Sequence, residues 1–155
     1  MIWLLLTLLI VLPVVLFYWS IVKSLSFYNA ESTLTLAYCF IWGGIIAVVF
    51  SIAWEGVFII GLGGDLDQKG MDFFSTVLLA PLIEELFKGF GILILFLIAL
   101  NTRKGLRGPL SGLVYGGIIG LGFGLCEDIS YMINAAEDSG LLGLLVTFFA
   151  RFWKY

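Results

Sequence analysis

Ala80-Pro81-Leu82-Ile83-Glu84-Glu85-Leu86-Phe87-Lys88-Gly89-Phe90-Gly91 lies inside residues 73–100, a run that is otherwise mostly apolar. The run is long enough to cross a bilayer, which takes about 20 residues. An ionised side chain at the centre of a membrane helix costs about 2.5–3.5 kcal/mol on insertion scales. The stretch therefore predicts a transmembrane helix and marks a site on it, because two acids and a lysine are kept there against that cost. At about 100° per residue, Lys88 stands some 40° from Glu84 and Glu85 some 100° from it, so the three make one patch. Lys88 is four residues from one acid and three from the other, within reach of both. A self-neutralising pair that only fixes helix packing is the weaker reading, since buried ion pairs are poor stabilisers.

Working outward, 61% of the 155 residues are hydrophobic and 12% charged, and the mean hydropathy is +1.12. Those values predict an all-α, polytopic membrane helix bundle rather than a soluble domain. The net charge of −3 carries no basic stripe, and neither a phosphate-binding loop nor a zinc-finger spacing is present, so nucleic acid is not an expected partner. Cys39 and Cys126 fall in separate apolar segments without a CxxC and read as small buried hydrophobes. The absence of histidine excludes His-based triads and the usual zinc sites within these residues.

The hydropathy pattern predicts helices over about residues 1–22, 34–62, 73–100, 109–134 and 141–155, a single transmembrane domain of four full spans and a partial fifth. Residues 1–22 lack a charged leader region and a cleavage site, so they read as a retained helix, with a kink expected at Pro13. Trp42 and Trp54 suit interface or packing positions, and Glu55 reads either as interfacial or as part of a polar path. Residues 65–72 form an acidic loop, and residues 135–140, with Glu137 and Asp138, a second one. Arg103, Lys104 and Arg107 crowd the loop at residues 101–108, and short loops rich in Lys and Arg stay in the cytoplasm. The N-terminus and both acidic loops then lie outside. An Asn101→Cys variant should accordingly resist an impermeant thiol reagent applied to the outer face of intact cells; efficient labelling would reverse the topology.

Glycine recurs every fourth residue at Gly108, Gly112, Gly116, Gly120 and Gly124, with Gly117 and Gly122 besides. In lipid, where apolar surface alone does not drive association, such ladders let helices approach closely. The expected partner is the helix of Glu84, because Glu127 and Asp128 follow Gly124 on or near the glycine face. Glu84 is 16 residues from Leu100 and Glu127 is 18 from Pro109. At 1.5 Å per residue both lie roughly 24–27 Å from the cytoplasmic ends of their helices, at one level of the membrane. Four carboxylates there cannot all stay ionised in a dry site, so water or a cation must reach them.

Glu84-Glu85-Leu86-Phe87-Lys88 resembles the EExxK motif of the PrsW family of intramembrane proteases. The glycine-rich stretch at residues 112–124, leading to Glu127-Asp128, resembles that family's second signature. The family is distantly related to the CAAX prenyl endopeptidase and Abi proteases, which share a paired-glutamate motif and an all-helical membrane fold. The likeness covers about residues 73–131 and extends plausibly through Arg151. It implies a protein integral to a prokaryotic plasma membrane that cleaves membrane proteins, with the lipid bilayer as its solvent. It also implies a histidine in a later helix. The sequence has none, and residues 141–155 are too short to span comfortably, which reads as a C-terminal truncation with an incomplete catalytic set.

The chemistry implied is peptide hydrolysis by a glutamate-activated water. Glu84 would be the base, with Glu85 holding it or the water. Lys88 would compensate charge, and Glu127 would complete the acidic cluster or donate a proton. The role of Asp128 stays open, since the family often has Asn there. No cofactor is required by the sequence. A divalent metal is compatible with it, and an all-carboxylate set would favour a hard cation over zinc. Intramembrane acids beside a lysine also suit a proton- or ion-coupled carrier or channel subunit, although no inverted repeat is visible. A noncatalytic relative that binds membrane proteins is the third reading.

Overall fold

Apolar segments in lipid must satisfy their own backbone N–H and C=O groups, and an α-helix does so within one segment. The computed structural model describes residues 1–25, 31–62, 70, 73–102 and 108–152, and among them regular structure is helical, with no strand. Helix α1 spans Ile2–Ser24 and runs on through Pro13. Its buried residues Thr7, Val11 and Val15 are spaced by four, a single stripe. Leu5, Leu9, Leu12 and Leu16 stay exposed, as suits lipid contact.

Helix α2 joins three pieces end to end: Thr33–Ile41, a π-helical stretch at Trp42–Ala47, and Val48–Leu62. Helix α3 opens with a π-helical stretch, Ser75–Leu79, and continues as Ala80–Thr102. The widened turn precedes Pro81, whose ring has no N–H to offer and would clash with the carbonyl four residues back in a regular helix. Helix α4 spans Pro109–Phe152. Three helical stretches among the described residues are long and apolar enough to cross a membrane: Ile2–Ser24, Thr33–Gly61 and Pro109–Phe152. Helix α3 is not among them. The basic cluster Arg103, Lys104 and Arg107, and the acids Asp65, Asp67 and Asp72, lie outside the described residues.

Helix α4 is the axis of the bundle. Its Val114, Tyr115, Ile118 and Ile119 form one buried cluster with Leu36, Cys39 and Leu95. Its Met132, Ala136 and Leu144 form another with Val11 and Val15 of α1. At its start, Ser111 Oγ donates to Glu31 Oε1 at 2.6 Å and the buried Tyr115 hydroxyl donates to Glu31 Oε2, fastening the entry of α2 to α4.

Two expectations are corrected here. The loop expected at residues 135–140 is helical as far as Ser139, and the break is confined to Gly140, at φ 65° and ψ −148°. That conformation is open to glycine and strained for any side chain. Beyond it the chain turns back along α4. Leu144 packs with Met132 and Ala136, and Gly143 passes so close to the Ala135 carbonyl that a Cβ would collide with it.

The second correction concerns the glycine ladder. The tightest approach of α4 is to α2, not to α3. A Cβ on Gly122 would strike the Phe40 carbonyl and lie 3.0 Å from the Gly44 nitrogen, and one on Gly43 would strike the Ile119 backbone. Gly120 is different: a Cβ there meets nothing within 4 Å. Gly122→Ala should therefore destabilise the protein by about 1–3 kcal/mol through overpacking against backbone. Gly120→Ala should be neutral or slightly stabilising. Thermal melts of the two variants in detergent check the contrast, and equal melting points would contradict it.

Candidate functional site

The EExxK stretch begins one turn inside the regular part of α3. Lys88 Nζ lies 2.8 Å from Glu85 Oε1 and 3.5 Å from Glu84 Oε2. The lysine thus belongs chiefly to Glu85, whose side chain is 73% exposed, whereas Glu84 is 27% exposed and only loosely held. The ammonium also sits 3.8 Å from the centroid of the Phe123 ring on α4. Helices α3 and α4 are antiparallel, so four residues back from Lys88 and four on from Phe123 bring Glu84 level with Glu127. Consistent with this register, Glu84 lies within electrostatic range of Glu127. The shared level expected from helix lengths is the one observed.

On α4, Arg151 does for the second acid pair what Lys88 does for the first. Its Nε donates to Asp128 Oδ1 in a short contact, while Nη2 stands 3.4 Å from Glu127 Oε2. The guanidinium lies 4.4 Å from the Tyr131 ring centroid. Each helix therefore presents two adjacent acids, one clamped to a cation and one weakly held. Glu85 and Asp128 are the clamped acids; Glu84 and Glu127 are the freer ones.

A cavity of about 370 Å³ opens beside these groups. Lys88, Glu127 and Asp128 form its polar rim, and Val11, Val14 and Val15 of α1 its opposite wall. Gly117, Gly120 and Gly124 are its floor. Glu84 and Glu85 are not among the residues that line it; Lys88, which pairs with both, is.

The sequence did not mark Arg151 or the contacts of Trp42 and Phe50 as parts of this site, whereas Glu55 read as either interfacial or part of a polar path. Arg151 is 23 residues from Asp128, and its partnership exists because of the Gly140 turn; the lone arginine in an apolar stretch was the available signal. Glu55 on α2 is half-buried and lies within electrostatic range of Glu84. Trp42 Nε1 donates to the Phe87 carbonyl at 2.9 Å. Gly91 makes room for that ring, since a Cβ there would stand 2.5 Å from it. Phe50 stacks on Phe87 at 5.5 Å between centroids. These contacts fix the turn of α3 that carries Lys88. Cys39 is buried, and Cys126 donates to the Gly44 carbonyl at 2.7 Å, so both cysteines act as packing groups.

A family model described as PrsW family intramembrane metalloprotease matches residues 31–153. No curated protein and no solved structure gave a match.

Proposed function

The chain belongs to the PrsW family of intramembrane metalloproteases, and from that membership we propose that it cleaves membrane-protein substrates with Glu84 as the general base. The observation that carries this reading is the asymmetry within each acid pair. A general base works best when its carboxylate is least committed to a cation, and of the two acids on α3 Glu84 is the more weakly paired, at 3.5 Å from Lys88 against 2.8 Å for Glu85. Glu84 takes a proton from water as the water oxygen attacks the scissile carbonyl. Lys88 offers a fixed positive charge to the oxyanion that develops. Glu84 then passes the proton to the leaving nitrogen as the C–N bond breaks. Glu127, on the facing helix, accepts a hydrogen bond from the water and orients it, while Arg151 and Asp128 hold α4 in place.

The family description names a metal, which needs a converging set of donor side chains. The chain has no histidine. Among the described residues no three His, Cys, Asp or Glu side chains converge closely enough to hold an ion. The four acids nearest each other already face an ammonium and a guanidinium, and a divalent cation would meet both as like charges. These residues do not fit a metal site by themselves.

The arrangement in the bilayer belongs to the same reading. Helix α3 crosses as well, giving four spans, with the limb after Gly140 as a partial fifth. The N-terminus faces outward across a prokaryotic plasma membrane. Support comes from the length of α3, from its exposed apolar residues such as Leu93, Phe96 and Leu97, and from the basic loop that follows it.

The test is reconstitution. Purified protein in liposomes with a designed single-span substrate should yield two peptide fragments by mass spectrometry and no proton or cation flux above empty vesicles. Flux without cleavage would replace the protease by a carrier.

A further inference from the structure

The cavity on the α1 side of the acids has a shape that the catalytic reading does not use. We propose that it is the subsite for one large aliphatic side chain of the substrate, beside the scissile bond, and that Gly120 and Val14 set the size it accepts. The proposal rests on the protease reading above and deepens it. A volume of about 370 Å³ sits at the low end of ligand pockets, about 300–1,000 Å³. That is room for one large side chain with its adjoining backbone, and too little for a transmembrane helix 10–12 Å across.

The walls specify the chemistry. Val11, Val14, Val15, Val22 and Leu121 offer only apolar contact, and Tyr18 adds an aromatic ring with a single hydroxyl. Of the charged groups at the rim, Lys88 and Asp128 are paired within the protein, and Glu127, weakly held by Arg151, is taken up by the attacking water in the reading above. A charged substrate side chain would be desolvated against valines without a partner, whereas an aliphatic one loses nothing. The floor is the least crowded part: a Cβ on Gly120 meets nothing within 4 Å, and one on Gly117 is in ordinary contact with Val22 at 3.4 Å. Gly120 is thus not needed for helix packing, unlike Gly122 two residues on. What its missing side chain leaves is open volume in the cavity that Lys88 and Glu127 also line.

The opposite wall comes from α1, at residues 11, 14, 15, 18 and 22, one continuous face of that helix. Helix α1 lies outside the segment that matches the family, residues 31–153.

The experiment uses the full chain in lipid nanodiscs and two readouts. The first is cleavage of single-span peptides that differ only in having Leu, Ala, Phe or Asp at one position, with cut sites mapped by mass spectrometry. Cuts beside Leu should predominate in the wild type, and Asp at that position should abolish them. Gly120→Val should lower the Leu-to-Ala cleavage ratio at least about 10-fold, and Val14→Ala should raise the Phe-to-Leu ratio. The second readout needs no turnover: the same peptide carrying photo-leucine is irradiated with the Glu84→Gln protein. Label should appear on residues 11–15 and 120–121, and fall in Gly120→Val. Label confined elsewhere, or unchanged ratios in both variants, would overturn the subsite. Labelling at the subsite by a peptide that wild-type protein never cuts would keep the subsite and sink the protease reading.

Discussion

Glu84→Gln should lower the rate of substrate cleavage by about 10²–10⁴-fold, the range attributed to a positioned general base. The substitution keeps size and hydrogen-bonding capacity and removes only the ability to take a proton. Glu85→Gln should be far milder, because Glu85 is mostly exposed and its strongest contact is the 2.8 Å pair with Lys88. Loss of that pair frees the ammonium to move toward Glu84, so a modest fall, about 10-fold or less, is the expected outcome. Glu127→Gln should fall between the two, since a neutral amide still accepts a hydrogen bond from the water. Single-turnover cleavage of one substrate by the three purified variants gives the order directly. If Glu85→Gln cost more than Glu84→Gln, the assignment of the base from pairing geometry would be wrong. The double variant Glu84→Gln/Glu127→Gln should be little worse than Glu84→Gln alone, because groups serving one water are not additive.

Arg151→Met should destabilise the fold as well as the site. It leaves Glu127 and Asp128 adjacent and uncompensated inside the bundle, and removing one partner of a buried pair costs about 3–5 kcal/mol. The low end applies here, since the Arg151 and Asp128 side chains remain 19% and 18% exposed. Arg151→Lys should recover only part of the loss: one ammonium is a point charge and does not bridge two carboxylates as a guanidinium fork does. The informative variant is Arg151→Met combined with Asp128→Asn. Once the clamped acid is neutral the arginine matters less, so the pair should be more stable than Arg151→Met alone, a coupling read by a double-mutant cycle of melting temperatures. Strict additivity would mean that Arg151 is not the partner that holds Asp128. Activity gives a second, independent reading, because the Gly140 turn and Arg151 together fix the level of Glu127.

Much of the molecule follows from the sequence alone, for reasons that are local. Bilayer crossing depends on the summed hydropathy of about 20 consecutive residues, so the helices at residues 1–22, 34–62 and 109–134 were legible without tertiary information. The patch formed by Glu84, Glu85 and Lys88 is a matter of helical period over five residues, and its level beside Glu127 follows from counting rise per residue along two antiparallel helices. What the period cannot give is which acid the lysine prefers. Glu84 and Glu85 are equally near Lys88 in sequence, and the neighbours of α3, the Phe123 ring and the Trp42 side chain among them, decide the difference between 3.5 and 2.8 Å.

The second cation was hidden for a related reason. Along a straight helix Arg151 would stand about 35 Å from Asp128, at 1.5 Å per residue; they touch because Gly140 reverses the chain with a backbone conformation that other residues avoid. The glycines divide in the same way. A four-residue ladder says that close approach is possible on one face, and only the packing shows that Gly122 is occupied by α2 backbone while Gly120 opens onto a cavity walled by α1. Hydropathy, helix period and residue type are properties of short stretches, so the sequence by itself determined the class, most of the helical stretches and where the acids fall along them. Pairing, cavity and wall depend on which distant surfaces the chain brings together, and that was decided by the tertiary structure.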